Sequence, residues 1–129
     1  MKPRLLPVVI VCTLVVIVLF ITRAVYHDIA RVTWQNHAEA GIKYLAEGIE
    51  RYKRKYDSYP SSIQELIAGS DAEWSNYMRQ HVFNDQFADK YEYQLQTNRF
   101  AIRVIRPAKW YMKGETVERI YKAGEALVE

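Results

Sequence analysis

The sequence has one cysteine, Cys12, and it lies inside an apolar run, so no intrachain disulfide can staple the fold and cysteine usage says nothing about compartment. Histidine is scarce too: His27, His37 and His81 stand apart from one another and from Cys12, without the spacing a metal centre needs. No Gly-rich phosphate loop, no Gly-x-Ser-x-Gly turn and no cysteine with a partner base is present. The reading is therefore of no enzyme, no catalytic residue, no cofactor, no metal and no small-molecule substrate. An excess of one charge is also missing. The formal net charge is +3, but with Lys2 and Arg4 set aside the chain carries 16 basic against 15 acidic residues. A nucleic-acid reader gathers Lys and Arg to displace counterions from phosphates, and this balance excludes that class.

The most informative absence is local. From Leu5 to Thr22 there is no charged residue at all, and Val, Ile and Leu dominate. With its flanks the run is long enough, at about 20 residues, to cross the ~30 Å hydrocarbon core as a helix. It exceeds the ~7–15 residues of a signal-peptide core, and Phe20-Ile21-Thr22-Arg23-Ala24-Val25-Tyr26 offers no Ala-x-Ala cleavage site. Val11 before Cys12 is too large for a lipid-attachment signal. A buried globular helix is the competing reading, but such helices show a polar face. Lys2, Arg4 and the terminal amine face Arg23 and Arg31 across the run, a slight bias toward a cytoplasmic N-terminus. The expected division is residues 1–22 as stub and single membrane pass, and 23–129 as an extracytoplasmic domain.

No Gly or Pro occurs between Arg23 and Ala40, so the membrane helix is expected to continue outward. Ala38, Ile42, Leu45, Ile49, Tyr52 and Tyr56 recur at spacings of 4, 3, 4, 3 and 4, which lines one face of a helix. A dimeric coiled coil would give the same repeat, but the stripe is about three heptads long, and packing on the chain's own sheet is favoured. Gly41 and Gly48 interrupt this helix and suit close approach of a neighbour. Asp57-Ser58-Tyr59-Pro60 ends it, because the residue before a proline is pushed out of the helical region. Ser62 and Glu65 mark a short helix over 63–68 closed by Gly69, and Ser70 with Glu73 marks another from Asp71 to about His81. From Tyr91 the period becomes two, predicting a hairpin that turns at Thr97-Asn98. After Pro107, Trp110–Met112 and Val117–Tyr121 read as a second hairpin around Lys113-Gly114, with a helix over the latter as the alternative. Gly124–Glu129 reads as a frayed tail. Tyr and Trp are common at interfaces, so Trp34, Trp110 and Tyr111, with the stripe residues Ala38, Ile42, Leu45 and Ile49, are the candidates for packing against another subunit.

The order of elements resembles a type IV pilin-like protein, and most closely the major pseudopilin of type II secretion. Two patterns carry the resemblance over about Arg23 to Arg106. One is Ile49 to Pro60, an aromatic-bearing helix end closing in Tyr59-Pro60, followed by Ile63 and Leu66. The other is Asp85-Gln86-Phe87-Ala88-Asp89-Lys90-Tyr91-Glu92-Tyr93, similar to the family's Asp-Pro-Trp-Gly-x-Pro-Tyr-x-Tyr before its first strand. Asp85, Tyr91 and Tyr93 match and Phe87 stands for the Trp, while Gln86, Ala88 and Lys90 replace the two prolines and the glycine. The resemblance implies an α+β fold, a long membrane-plus-amphipathic helix packed on a small antiparallel sheet. It also implies a structural subunit of a secretion or pilus-like assembly in the bacterial inner membrane, with pilin-like protein partners.

Two departures qualify this. The family's processing site ends in Gly, with Phe or Met next and a Glu a little further on. Here Leu6-Pro7-Val8-Val9 occupies that region, and no acid precedes Asp28. Prepilin peptidase is expected not to cut this chain. The resemblance also implies a calcium loop after the sheet, but Arg106-Pro107-Ala108-Lys109-Trp110 would repel a hard cation, so none is expected there. The alternative is thus an unprocessed, single-pass anchored module that binds an extracytoplasmic protein and no longer builds filaments. A third reading, an anchored enzyme accessory or small hydrolase, has no residue to rest on.

Overall fold

The computed structural model describes residues 5–83, 90–108 and 113–124. In chain order they form helices α1 (Leu5–Tyr56), α2 (Ile63–Gly69) and α3 (Ala72–Met78), then a π-helical turn over Arg79–Phe83, and strands β1 (Lys90–Gln96), β2 (Arg99–Arg106) and β3 (Glu115–Lys122). This is the α+β, pilin-like architecture the resemblance implies. The chain forms two compact units, residues 1–33 and 34–129, and α1 contributes to both.

In the first unit α1 begins at Leu5 with Pro7 in its opening turn, where a missing N–H leaves no bond unmade. Thr13 donates its hydroxyl to the Val9 carbonyl at 2.9 Å, so the helix satisfies that polar group internally.

The second unit is built on an antiparallel sheet in the order β1-β2-β3. Phe100, Ile102 and Val104 alternate along β2 and are fully buried, and with them lie Trp34, Ala38, Ile42, Leu45, Ala46 and Ile49 of α1. Burying each of the large side chains contributes roughly 1.5–3 kcal/mol. Side-chain contacts tie α1 to all three strands: Tyr91 of β1 to Gly41, Arg106 of β2 to Trp34, and Arg119 of β3 to Glu39. The glycines at 41 and 48 admit those close neighbours, since a Cβ at Gly41 would fall on the Tyr91 hydroxyl and one at Gly48 inside the Trp74 indole.

Helix α1 ends at Tyr56, where Asp57-Ser58-Tyr59-Pro60 is expected to end it, but the stop is set by Asp57, which takes a left-handed backbone at φ 57° and whose N–H donates to the Lys53 carbonyl at 2.7 Å. Several other local expectations need correcting. Gly69 is the last residue of α2 and has no positive φ; it is small because Tyr52 packs on it. The cap of α2 is shifted. The Glu65 N–H donates to Ser62 Oγ at 3.1 Å, but the Glu65 carboxylate reaches back to the N–H of Ser61, at 2.6 Å, instead of Ser62. Ser70 does not repeat the device: its hydroxyl donates to Leu66 O, and α3 starts from Asp71 without a side-chain cap. That helix stops at Met78 and continues to Phe83 as a π-turn.

The first hairpin is as expected, with Gln96 opposite Arg99 across Thr97-Asn98. Leu95 at its tip is exposed and departs from the alternation. Val117–Tyr121 is a strand, but its partner is β2 along its whole length, from Glu115 opposite Arg106 to Lys122 opposite Arg99. The free edge of β2 offers a complete ladder of backbone groups. Trp110–Met112, the partner expected from the sequence, lies outside the described residues. Of the expected tail, Gly124 is held: its N–H donates to Glu50 Oε1 at 2.9 Å.

Candidate assembly surfaces

The first unit presents a continuous apolar surface. Every large hydrophobic side chain from Leu5 to Ile21 is between 45% and 71% exposed, and α1 is the one helix among the described residues long and apolar enough to cross a membrane. Covering the rest of these side chains would gain roughly half of the ~1.5–3 kcal/mol that full burial of each is worth, so the surface calls for lipid or other helices. Charge returns after Thr22, where His27 Nδ1 lies 3.7 Å from Asp28 Oδ1.

In the second unit the candidate packing residues Trp34, Ala38, Ile42, Leu45 and Ile49 are all 0–1% exposed within the single chain. Their apolar surface is spent on the chain's own core, so a neighbour would meet the flanks of the stripe: exposed Tyr44, Glu39 and Lys43. Tyr52 and Tyr56, the last two positions of the stripe, pack on each other at 4.5 Å and flank the core. Trp110 and Tyr111 lie outside the described residues.

The sequence reading missed Glu50, which it placed off the stripe. It is buried, and its Oε1 accepts both the Tyr59 hydroxyl at 3.2 Å and the Gly124 N–H. One carboxylate thus holds the end of α1, the Tyr-Pro turn and the chain after β3. The signal was its position four residues beyond Ala46 and eight beyond Ile42, on the edge of the buried face. Burial, and then the Glu50 charge, push the Tyr59 hydroxyl up to about 12, so it remains a donor. Lys53 Nζ sits 4.4 Å above the Tyr59 ring and completes the cluster. Pro60 beside it is buried, and Tyr59 packs on Phe100 at 5.6 Å.

A second charged group is buried at the other end of β2. Arg106 is 3% exposed, stacks on Trp34, donates to the Lys113 carbonyl and lies 3.8 Å from the Glu115 carboxylate. On the sheet's outer face Arg103 bridges Glu92 at 3.5 Å and Glu118 at 3.2 Å, a ladder across all three strands. No group of three or more His, Cys, Asp or Glu gathers among the described residues. The clusters around Glu50, Arg103 and Arg106 supply packing, capping and ion pairs.

Of the pattern residues, Tyr91 and Tyr93 are half-buried on β1, Tyr59 and Pro60 form the turn below α1, and Asp85 and Phe87 lie outside the described residues. A family model described as type II secretion system (T2SS), protein G, matches residues 27–106, more than half of the chain. The chain belongs to that family. No curated protein and no solved structure matches it. The protein G match spans the buried stripe, the Glu50–Tyr59 cluster and the first hairpin, with both patterns read from the sequence inside it. It begins beyond the charge-free run and stops at Arg106, before Trp110 and Tyr111.

Proposed function

We propose that this type II secretion protein G family member is a membrane-anchored structural subunit of a type II secretion or type IV pilus-like assembly. Residues 1–22 hold it in the bacterial inner membrane by a single pass with the N-terminus cytoplasmic, and residues 23–129 stand on the extracytoplasmic side. The observation that carries this reading is the uncovered apolar surface from Leu5 to Ile21 on a chain of pseudopilin family. Related subunits pack through that surface and through Trp110 and Tyr111, with no catalytic step, cofactor or nucleic acid.

One observation favours a second reading. The run from Leu5 to Thr22 holds neither an acid nor a Gly followed by Phe or Met. An apolar helix surface without a buried acid can still sit among lipids, as an unprocessed anchored module that binds an extracytoplasmic protein outside any filament. Photo-crosslinkers at Val11 and Phe20, used in native membranes with mass spectrometry of the adducts and of the chain's own N-terminus, separate the two. Pilin-like partners are the expected adducts. A lone chain retaining Met1, or one joined only to unrelated extracytoplasmic proteins, overturns the first reading for the second.

A further inference from the structure

Past Thr22 helix α1 changes character on one side only. Arg23, His27 and Arg31 recur four residues apart, which sets them within about 80° of one another around the helix. Val25, Ile29 and Val32 recur on the opposite side and are 51%, 60% and 56% exposed. The segment thus carries basic side chains on one side and hydrocarbon on the other, the form that suits the boundary between acyl chains and headgroups. Its height agrees. At about 1.5 Å per residue, Arg23 lies about 1.5 Å beyond Thr22, His27 about 8 Å and Arg31 about 14 Å. The headgroup layer is about 5–7 Å deep on each side of the hydrocarbon core. Helical side chains lean toward the helix N-terminus, so His27 and Arg31 lean back toward the apolar run. Tyr26, 61% exposed, stands among them at the level where aromatic rings settle in a bilayer.

The charge on this face is not spent within the chain. Arg23 is exposed and has no hydrogen-bond or ion-pair partner among the described residues. Arg31 has a partner within the chain, and the five donors of its guanidinium can serve a further acceptor. Asp28 is the one acid between Thr22 and Glu39, and it lies on the flank of the face, 3.7 Å from His27 Nδ1. Two guanidinium groups against one carboxylate leave a net positive charge at the height of the phosphates. A guanidinium meets a phosphate through two parallel hydrogen bonds. We propose that Arg23, His27 and Arg31 bind the phosphates of anionic phospholipid headgroups, in the leaflet from which the domain projects; this rests on the single-pass anchor proposed above. A zwitterionic headgroup offers the same phosphate but brings its own cation, which this face repels, so the anionic lipid is selected.

The test is native mass spectrometry of the full chain released from nanodiscs that hold phosphatidylglycerol and phosphatidylcholine in equal parts. The chain should retain phosphatidylglycerol about fivefold over phosphatidylcholine, the scale of one net basic charge at an anionic surface. The double variant Arg23→Gln with Arg31→Gln should bring the ratio close to parity while circular dichroism stays unchanged. Asp28→Asn should raise it, and Arg54→Gln, in the other unit, should leave it as it is. Inorganic phosphate should displace the lipid no better than chloride at equal ionic strength. A chain that does not enter the discs overturns the anchor and this proposal together. A chain that enters and retains both lipids equally, a ratio untouched by the double variant, or selective displacement by free phosphate overturns this proposal and leaves the anchor standing.

Discussion

The guanidinium carbon of Arg106 lies 4.5 Å from the centre of the Trp34 ring, and both residues are buried. Seventy-two residues separate them in the chain, yet the pair joins the first buried residue of α1 to the last residue of β2. The cation is also held by the Glu115 carboxylate and the Lys113 carbonyl. Arg106→Ala removes the charge, uncovers the Trp34 face and leaves Glu115 without this partner, which should cost about 3 kcal/mol. Arg106→Lys should lose less, since an ammonium keeps the charge but cannot stack as a plane. Urea unfolding of the full chain in nanodiscs, followed by tryptophan fluorescence, checks both. An alanine variant within about 0.5 kcal/mol of the parent would mean the cluster is incidental.

The contrast between Arg106 and Ile49 explains how much could be read in advance. Ile49, Leu45, Ile42 and Ala38 announced a buried helix face because apolar spacing reports burial directly, and the two-residue period of 91–105 announced the hairpin in the same way. Gly41 and Gly48 were legible as close approaches, although nothing local said that Tyr91 and Trp74 would be the neighbours. Polar residues give no such signal. Arg106 and Glu50 are buried against partners brought in by the fold, Trp34 and Glu115 for Arg106 and Tyr59 and Gly124 for Glu50, and apolar spacing carries no information about such pairings. That β3 pairs with β2 was not legible for a related reason: strand pairing depends on which edge is open, and period alone does not reveal edges. The patterns that pointed to the family survived because they are local.

Glu50 offers a second measurement. With Glu50→Ala, the Tyr59 hydroxyl and the Gly124 N–H lose the acceptor they share, at a cost of about 1–3 kcal/mol. Glu50→Gln retains an acceptor oxygen and should lose less. A double-mutant cycle with Tyr59→Phe should return a coupling of about 0.5 kcal/mol or more, because the two side chains share one bond. Strict additivity would show that the contact between them contributes nothing.

The cap of α2 predicts an acid sensitivity. The Ser61 hydroxyl and then the Ser61 N–H, with the Tyr52 hydroxyl as a third donor, hold the Glu65 carboxyl below its ordinary range. A folded-state value below the unfolded one, about 4.3, means that the carboxylate's contribution is fully present above that pH. It is lost as pH falls through the folded value. Thermal unfolding should therefore find Glu65→Gln less stable than the parent at pH 7, with the gap narrowing as the pH falls below the ordinary carboxylate range. A gap that stays constant across this range would assign the effect of the substitution to something other than the charge.

Tyr93 predicts a gain. Its hydroxyl has no acceptor among the described residues, and burial, followed by its electrostatic coupling to Tyr59, Glu65 and Glu50, pushes it far above its ordinary range. The group therefore stays protonated as a donor with nothing to donate to. Removing only the oxygen, in Tyr93→Phe, leaves the ring's 6.2 Å packing on Phe100 in place and deletes the unsatisfied group. Stability should rise by about 1 kcal/mol. A rise would mean that the hydroxyl is carried at a net cost to the fold. A fall in stability would mean that the hydroxyl is satisfied within the chain.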